Sequence, residues 1–302
     1  MGSSHSIRKA LTVVSTWARD VPRSPCRGRS PAPGPRMGGV QPERDPSPKD
    51  RFITVYGRNP VLGALTDRQL VVDKILVAEG ARGPHIAEII AAAQARGVPV
   101  HRASAHRVKQ LAGNGKQDQG VCADVVAPAM RSLAAALAAG LRGPVLVLDA
   151  ITTPANVGMI LRTATAAGLA GVVVPRRGVA SIDPMVVKAS AGVAFIAPVL
   201  TAGTAPEAVR ALRGHGHRII GLGAGAATDL YAATLPADAA YVLGGETAGV
   251  TLEVAEQIHE WVSIPMAGGV ESLNVAAAAA VLCFEVVRRT QSPSARAGRS
   301  GQ

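Results

Sequence analysis

The chain has 302 residues, 48% of them hydrophobic, enough to bury the cores of two domains. Its formal net charge of +11 favours a polyanionic partner such as RNA. Three widely spaced cysteines, Cys26, Cys122 and Cys283, and no C-x-x-C or Cys/His cluster argue against a disulfide framework and a metal centre. No apolar run reaches the length of about 18 residues that a transmembrane helix needs.

In chain order, residues 1–50 carry nine Lys/Arg against four Asp/Glu and eight of the 21 prolines, a composition with little apolar surface to offset chain entropy. They read as a disordered basic tail. The Arg- and Ser-rich part from Ile7 to Arg36 also suits an organellar transit peptide, and Met37 is a later candidate start.

Residues 51–126 read as a small α/β domain. Helices are expected over Gly57–Leu65, Pro84–Arg96 and Ser104–Leu111, the last capped by Ser104, and strands over Lys74–Ala78, Val98–His101 and Gly120–Val126. Ten Lys/Arg against six acids make this domain basic. Residues 127–143 form a small-residue, partly helical connector.

From Pro144 onward, continuously apolar runs read as buried parallel strands: Val145–Leu148, Gly171–Val174, Ala197–Leu200, Arg218–Leu222, Ala240–Leu243 and Val262–Ile264. Between and after them, helices are expected over Gly158–Ala167, Pro184–Ala189, Ala205–Arg213 and Leu273–Arg288. Alternating strands and helices imply a sheet covered by helices. Residues 291–302 read as a second disordered tail.

One motif is a decoy. GLGAGA at 221–226 matches G-x-G-x-x-A after a strand, but a dinucleotide site needs a helix directly behind the loop and an acid about 20 residues on. Here Ala227–Tyr231 leads toward Pro236 with little room for a helix.

Three blocks at strand ends carry the chemistry. Asn156, Gly158 and Arg162 form N-x-G-x-x-x-R at the start of a helix, Gly244 to Gly249 form G-x-E-x-x-G, and Ser272, Leu273 and Asn274 follow the SIPMAGG turn. Glycine-rich loops running into helix starts gather unpaired backbone N–H groups beside polar side chains, which suits a small-molecule site. Asn156 and Asn274 also suit helix capping.

In this order, the three blocks resemble the SpoU family of RNA ribose 2′-O-methyltransferases, within the SPOUT class. The stretches YGRNPVLGAL and GKQDQG resemble the L30e-like amino-terminal substrate-binding domain of many members. The resemblance spans about residues 51–290. It implies an L30e-like domain over 51–126 and a SPOUT α/β domain with a deep C-terminal trefoil knot over 144–290. It further implies S-adenosylmethionine as cofactor, structured RNA as substrate, with large-subunit rRNA ahead of tRNA, and a homodimer; the cysteine usage points instead to a reducing compartment, taken as the cytoplasm, and to no metal.

Residue by residue, the family's polar signature falls on Arg162, Asn156, Glu246, Ser272 and Asn274, with weaker support for Ser190. Arginine almost never deprotonates in proteins, so phosphate and ribose positioning is the safer role for Arg162. The cofactor loops fall on Leu222–Gly225, Leu243–Glu246 and Ile264–Leu273, with Gly244, Ile264 and Leu273 foremost and Leu222, Gly223, Leu243 and Met266 beside them. Gly244 is expected to let backbone approach the ligand. Candidate RNA contacts are Arg58, Asn59, Lys116 and Gln119. Asp118 departs from the family's usual histidine, and an acid there is expected to weaken phosphate contact. For the dimer, the helix Val275–Val287 is expected to offer a partner close approach at Ala276–Ala280 and apolar area at Val281, Leu282, Phe284 and Val286. The competing reading is a non-catalytic RNA-binding or ribosome-assembly factor on the same fold, for which a lost Arg or Asn is the expected mark. Both are present.

Overall fold

A computed structural model describes residues 51–112, 118–247 and 249–290. The two tails and Lys116 lie outside the described residues.

The first sheet has four strands in the order β1-β4-β2-β3. These are β1 Phe52–Tyr56, β2 Val72–Ala78, β3 Val100–Ala103 and β4 Val121–Val126. β4 pairs antiparallel with both neighbours, and β2 with β3 is parallel. Helices α1 Arg58–Thr66, α2 Pro84–Ala95 and α3 Ala105–Ala112 complete the layer. Arg107 N–H donates to Ser104 Oγ at 3.2 Å, the cap expected at the start of α3. β1 was not expected. Its alternating burial, with Ile53 and Val55 inward, is that of a half-covered strand. β3 begins two residues later than expected, because Val98 N–H is still committed to Ala93 O at the end of α2.

The second sheet has eight strands, all parallel, in the order β10-β12-β9-β11-β6-β7-β8-β5. Within 127–143, β5 Arg131–Ser132 adds an edge beside β8 Val199–Ala202, and α4 Leu133–Ala138 follows, with Ser132 accepting from Ala135 N–H. The central strands β6 Val145–Leu148, β7 Gly171–Pro175 and β11 Ala239–Leu243 are buried at every position. That is why they read as unbroken apolar runs.

Successive side chains in β6 face opposite ways. Leu146 and Leu148 join a core shared with α5 Pro154–Ala167, α6 Pro184–Ala189 and α9 Val275–Thr290. Val145 and Val147 join a second core under α4, α7 Ala205–Gly214 and α8 Leu252–Ala255. Local signals fix the helix limits. α5 starts with Pro154 and stops at Gly168 in the left-handed region (φ 74), and α7 is opened by a Thr204–Glu207 capping box.

Between β9 Arg218–Leu222 and β11, the chain forms only β10 Thr228–Asp229 and turns. The GLGAGA loop therefore has no helix behind it. Gly221 is instead a packing site, where a Cβ would lie 2.6 Å from Ile258 Cδ1 and 2.7 Å from the Trp261 ring.

α9 turns one stripe inward. Val275, Ala276, Ala279, Leu282, Cys283 and Val286 are buried within their own chain. Leu282 and Val286 are thus core residues, contrary to the expectation that they face a partner, because positions three and four apart on a helix share the face that covers the sheet. Phe284, 53% exposed, remains outside.

Candidate active site at the carboxyl ends of the parallel strands

In an open parallel sheet, ligands bind beyond the carboxyl ends of the strands where the strand order reverses. Here the order runs from β6 outward to β7 and β8, then resumes on the other side with β9, β11 and β12 Glu260–Ser263. The loops leaving β6, β9, β11 and β12 meet at this place.

Asp149, buried at the end of β6, ties two of these loops together. Its N–H donates to Leu243 O at 2.9 Å, and its Oδ2 accepts from Thr251 N–H at 2.7 Å and Thr251 Oγ1 at 2.9 Å. A buried carboxylate is tolerated only with such donors. Sequence reasoning used Asp149 only as a strand end; an acid closing the apolar run VLVLD was the available signal.

The three motif blocks converge on one hydrogen-bonded cluster. Asn156, buried in the first turn of α5, donates through Nδ2 to Glu246 Oε1. Asn274 Nδ2 donates to Asn156 Oδ1 at 3.1 Å and to Glu246 Oε1 at 3.2 Å. Asn274 Oδ1 accepts from Ala276 N–H at 2.9 Å and Ala277 N–H at 3.3 Å, so this residue caps α9 while joining the cluster. Asn156 is no cap, since Thr153 holds that position.

The other polar candidates stand apart from the cluster. Arg162, two turns further along α5, is exposed, and its side chain makes no hydrogen bond or ion pair among the described residues. Ser272 and Leu273 are exposed in the segment before α9. Ser190 is fully buried, donating to Val187 O and accepting from Ala194 N–H, which makes it part of the turn after α6. Gly158 has a packing role: a Cβ there would lie 2.6 Å from Val186 O, so α5 and α6 touch backbone to backbone.

Of the cofactor candidates, Gly223 N–H donates to Val262 O at 3.0 Å, drawing the loops after β9 and β12 together. Leu222 and Ile264 are half-buried, and Met266 and Leu273 are 37% and 40% exposed. Leu243 differs. Its side chain is buried in the core, and it frames the loop through its carbonyl. Gly244 is needed for a reason the sequence reading missed: a Cβ there would lie 2.2 Å from Gly249 C and 2.3 Å from Val250 N, so the loop folds against itself. Open space surrounds the Cβ positions of Gly225, Gly268 and Gly269, all with positive φ, leaving accessible backbone beside the apolar Met266 and Leu273. Such a lining suits an adenosyl group.

On the small domain, Arg58 N–H donates to Gln119 Oε1 at 3.0 Å, placing these two candidates side by side, with Asn59 exposed next to them. Asp118 Oδ1 accepts from Gly120 N–H at 2.7 Å, and the residue is buried. The acid is folded into its own turn, contrary to the expectation that it opposes phosphate. A cleft of about 710 Å³ between α7 and α8, lined by Arg210, Arg213, Glu253 and Glu256, contains none of the motif residues. Burial pushes the thiols of Cys122 and Cys283 up to about 12. Among the described residues no group of three or more His, Cys, Asp or Glu is placed to hold a metal ion. No helix among them is long and apolar enough to cross a membrane.

Residues 143–284 match the SpoU rRNA Methylase family and residues 54–130 the RNA 2′-O ribose methyltransferase substrate binding family. A 23S rRNA (guanosine-2′-O-)-methyltransferase RlmB from Ralstonia nicotianae is 36% identical over 237 residues, 78% of this chain and 95% of that protein. Its counterpart from Xanthomonas axonopodis pv. citri is 34% identical over 239 residues, covering 78% and 96%. Among solved structures, a putative TrmH-family RNA methyltransferase from Porphyromonas gingivalis is similar with TM-score 0.55 and 28% identity, over 80% of this chain and 91% of that one. The SpoU methyltransferase AviRb from Streptomyces viridochromogenes, in complex with AdoMet, is similar with TM-score 0.53 and 25% identity over the same shares.

Proposed function

The chain belongs to the SpoU rRNA methylase family, and from that premise we propose that it transfers a methyl group from S-adenosylmethionine to a ribose 2′-hydroxyl of 23S-type rRNA, with guanosine as the target nucleoside. The observation that carries this reading is the Asn156–Glu246–Asn274 cluster, which joins all three motif blocks at the carboxyl ends of the parallel strands.

When bound, S-adenosylmethionine supplies an electrophilic methyl group on a sulfonium. The loops 222–225, 244–246 and 264–273 are its proposed seat, with accessible glycine backbone and the apolar faces of Ile264, Met266 and Leu273 against the adenosyl part. The bound cofactor would supply its methyl group to the ribose 2′-oxygen and leave as the neutral thioether, with the hydroxyl proton passing to water. Arg162, exposed and uncommitted among the described residues, receives the phosphate next to the target ribose and orients the hydroxyl. Glu246, held by two amide donors, fixes Asn156 and Asn274 and with them the starts of α5 and α9. Ser272, exposed just before Asn274, is placed to meet the ribose or the loop backbone.

The small domain is proposed to hold the RNA through Arg58, Asn59 and Gln119, with Lys116 as a further candidate. The working unit is proposed to be a homodimer meeting on the outer face of α9, and its place the cytoplasm. We also infer that the segment from Ser263 to α9 passes through an earlier loop as a trefoil knot. In support, Ser263 Oγ donates to Ala226 O and Thr228 O, and Arg289 donates to Leu230 O, Tyr231 O and Ala233 O.

The test is transfer of labelled methyl groups to deproteinised large-subunit rRNA, followed by alkaline digestion. Ribose methylation blocks cleavage at its own linkage, so label is expected in an alkali-resistant dinucleotide containing G. Label confined to the bases of mononucleotides would refute the ribose reading.

A further inference from the structure

The loop from Arg176 to Asp183, between β7 and α6, is fastened to three separate parts of the molecule. Arg176 N–H donates to Ala202 O at 2.9 Å and Arg177 N–H to Gly203 O at 3.3 Å, fixing the backbone of both arginines at the end of the sheet. Ala180 N–H donates to Ile151 O at 2.9 Å, laying the loop against the segment that leads from Asp149 to Asn156. Asp183 Oδ1 caps α6, and its Oδ2 accepts from Tyr56 OH at 3.3 Å, two residues before Arg58. Buried Val179 pins the loop, and Gly178 turns it at φ 83.

Arg176 and Arg177 are both exposed. Arg177 Nη2 lies 3.8 Å from Glu207 Oε1, with the two side chains 72% and 56% exposed. A pair so long and so exposed is screened and contributes almost nothing to stability. A guanidinium on a rigid base, held only loosely by its counter-charge, has the planar donor fork that fits a phosphodiester.

We propose that the loop 176–183 carries the RNA backbone between the small domain and the methyl-transfer site, with Arg177 exchanging Glu207 for a phosphate. The inference rests on the proposed function and deepens it. RNA held at Arg58 and Gln119 meets this loop next, because the Tyr56–Asp183 hydrogen bond sets the two surfaces edge to edge. The Ala180–Ile151 bond places the far side of the loop on the approach to Asn156. Asp183 is thereby a positioning residue, sharing one carboxylate between the helix that packs on α5 and the domain that holds substrate.

The experiment measures binding of the full chain to deproteinised large-subunit rRNA between about 50 and 200 mM salt, the range over which phosphate contacts are read. Arg177→Ala is expected to lower affinity severalfold and to reduce the slope of log affinity against log salt by about one, the signature of one lost phosphate contact. Arg177→Lys keeps the slope, and Arg177→Glu weakens binding further. S-adenosylmethionine affinity by calorimetry and the thermal midpoint stay at wild-type values in all three. Arg210→Ala, in the cleft between α7 and α8 away from the motif residues, removes the same charge and is expected to leave the slope unchanged. Wild-type affinity and slope in Arg177→Ala and Arg177→Glu would overturn the proposal, as would an equal loss in Arg210→Ala, which would reduce the effect to net charge. A wild-type chain that bound and methylated no rRNA would overturn this inference together with the proposed function.

Discussion

Asn156 and Glu246, separated by 90 positions in the sequence, are joined by a hydrogen bond from Nδ2 to Oε1, and Asn274 donates to both. Three polar side chains from three strand-end loops therefore act as one unit. Groups that act as a unit lose their function together when any one is removed. Asn156→Ala, Glu246→Gln and Asn274→Ala are each expected to lower kcat/KM by roughly 10²-fold, with double variants little worse than single ones. Additive losses in a double-mutant cycle would show three independent contributions instead.

Arg162 differs from the cluster in being exposed and uncommitted among the described residues. Arg162→Ala is expected to lower turnover by about 10²-fold, the range of a lost acid/base or positioning group. S-adenosylmethionine affinity and thermal midpoint are expected to stay unchanged. A collapse of cofactor binding in calorimetry would make the residue structural.

The sequence makes Gly244 a place where backbone approaches a ligand, and the structure assigns the close approach to Gly249 and Val250. A side chain at 244 forces the loop open, an overpacking strain of about 1–3 kcal/mol. Gly244→Val is thus expected to lower both cofactor affinity and thermal midpoint. Lost affinity at an unchanged midpoint would return Gly244 to direct ligand contact.

The motif residues and the apolar strands were legible because both are local signals: a strand buried on both faces is a run of Val, Leu and Ile, and each motif sits where such a run ends. What stayed hidden was contact between distant positions. No local pattern tells that Asn156 meets Glu246, or that Leu282 and Val286 face the core while Phe284 does not. β5 escaped notice for a related reason. Two residues carry no periodicity, and only pairing with Leu200 and Thr201 makes them a strand.

At the end of α9, Glu285 receives Arg288 and Arg289, and Arg289 reaches on to the carbonyls of Leu230, Tyr231 and Ala233. The Arg288 hydrogen bond first, then the one from Arg289, hold the Glu285 carboxyl at about 2 against the opposing effect of burial. A folded value below the ordinary 4.5 makes this stabilisation fully present above about pH 4.5 and lost as pH falls toward 2. Urea unfolding from pH 7 to 3 is expected to show wild type losing stability over the lower part of that range and Glu285→Gln losing less. Parallel curves would remove Glu285 from the acid transition.

The proposed dimer is restricted by what α9 has already spent on its own core. With Val275, Ala276, Ala279, Leu282, Cys283 and Val286 turned inward, a partner can meet only the opposite ridge, where Phe284 is exposed, Ala277 is small and exposed, and Val281 is half-buried. The small side chain at 277 permits close helix approach, and the ring at 284 is the large apolar group placed to anchor it. Sedimentation at micromolar concentration is expected to give twice the 30.8 kDa chain mass. Phe284→Glu, which puts a charge on the ridge without touching the core, is expected to yield a folded monomer with an unchanged thermal midpoint at low concentration. If that monomer loses methyl transfer to rRNA, the site needs the second copy. A wild-type monomer fully active at assay concentration would defeat the dimer outright.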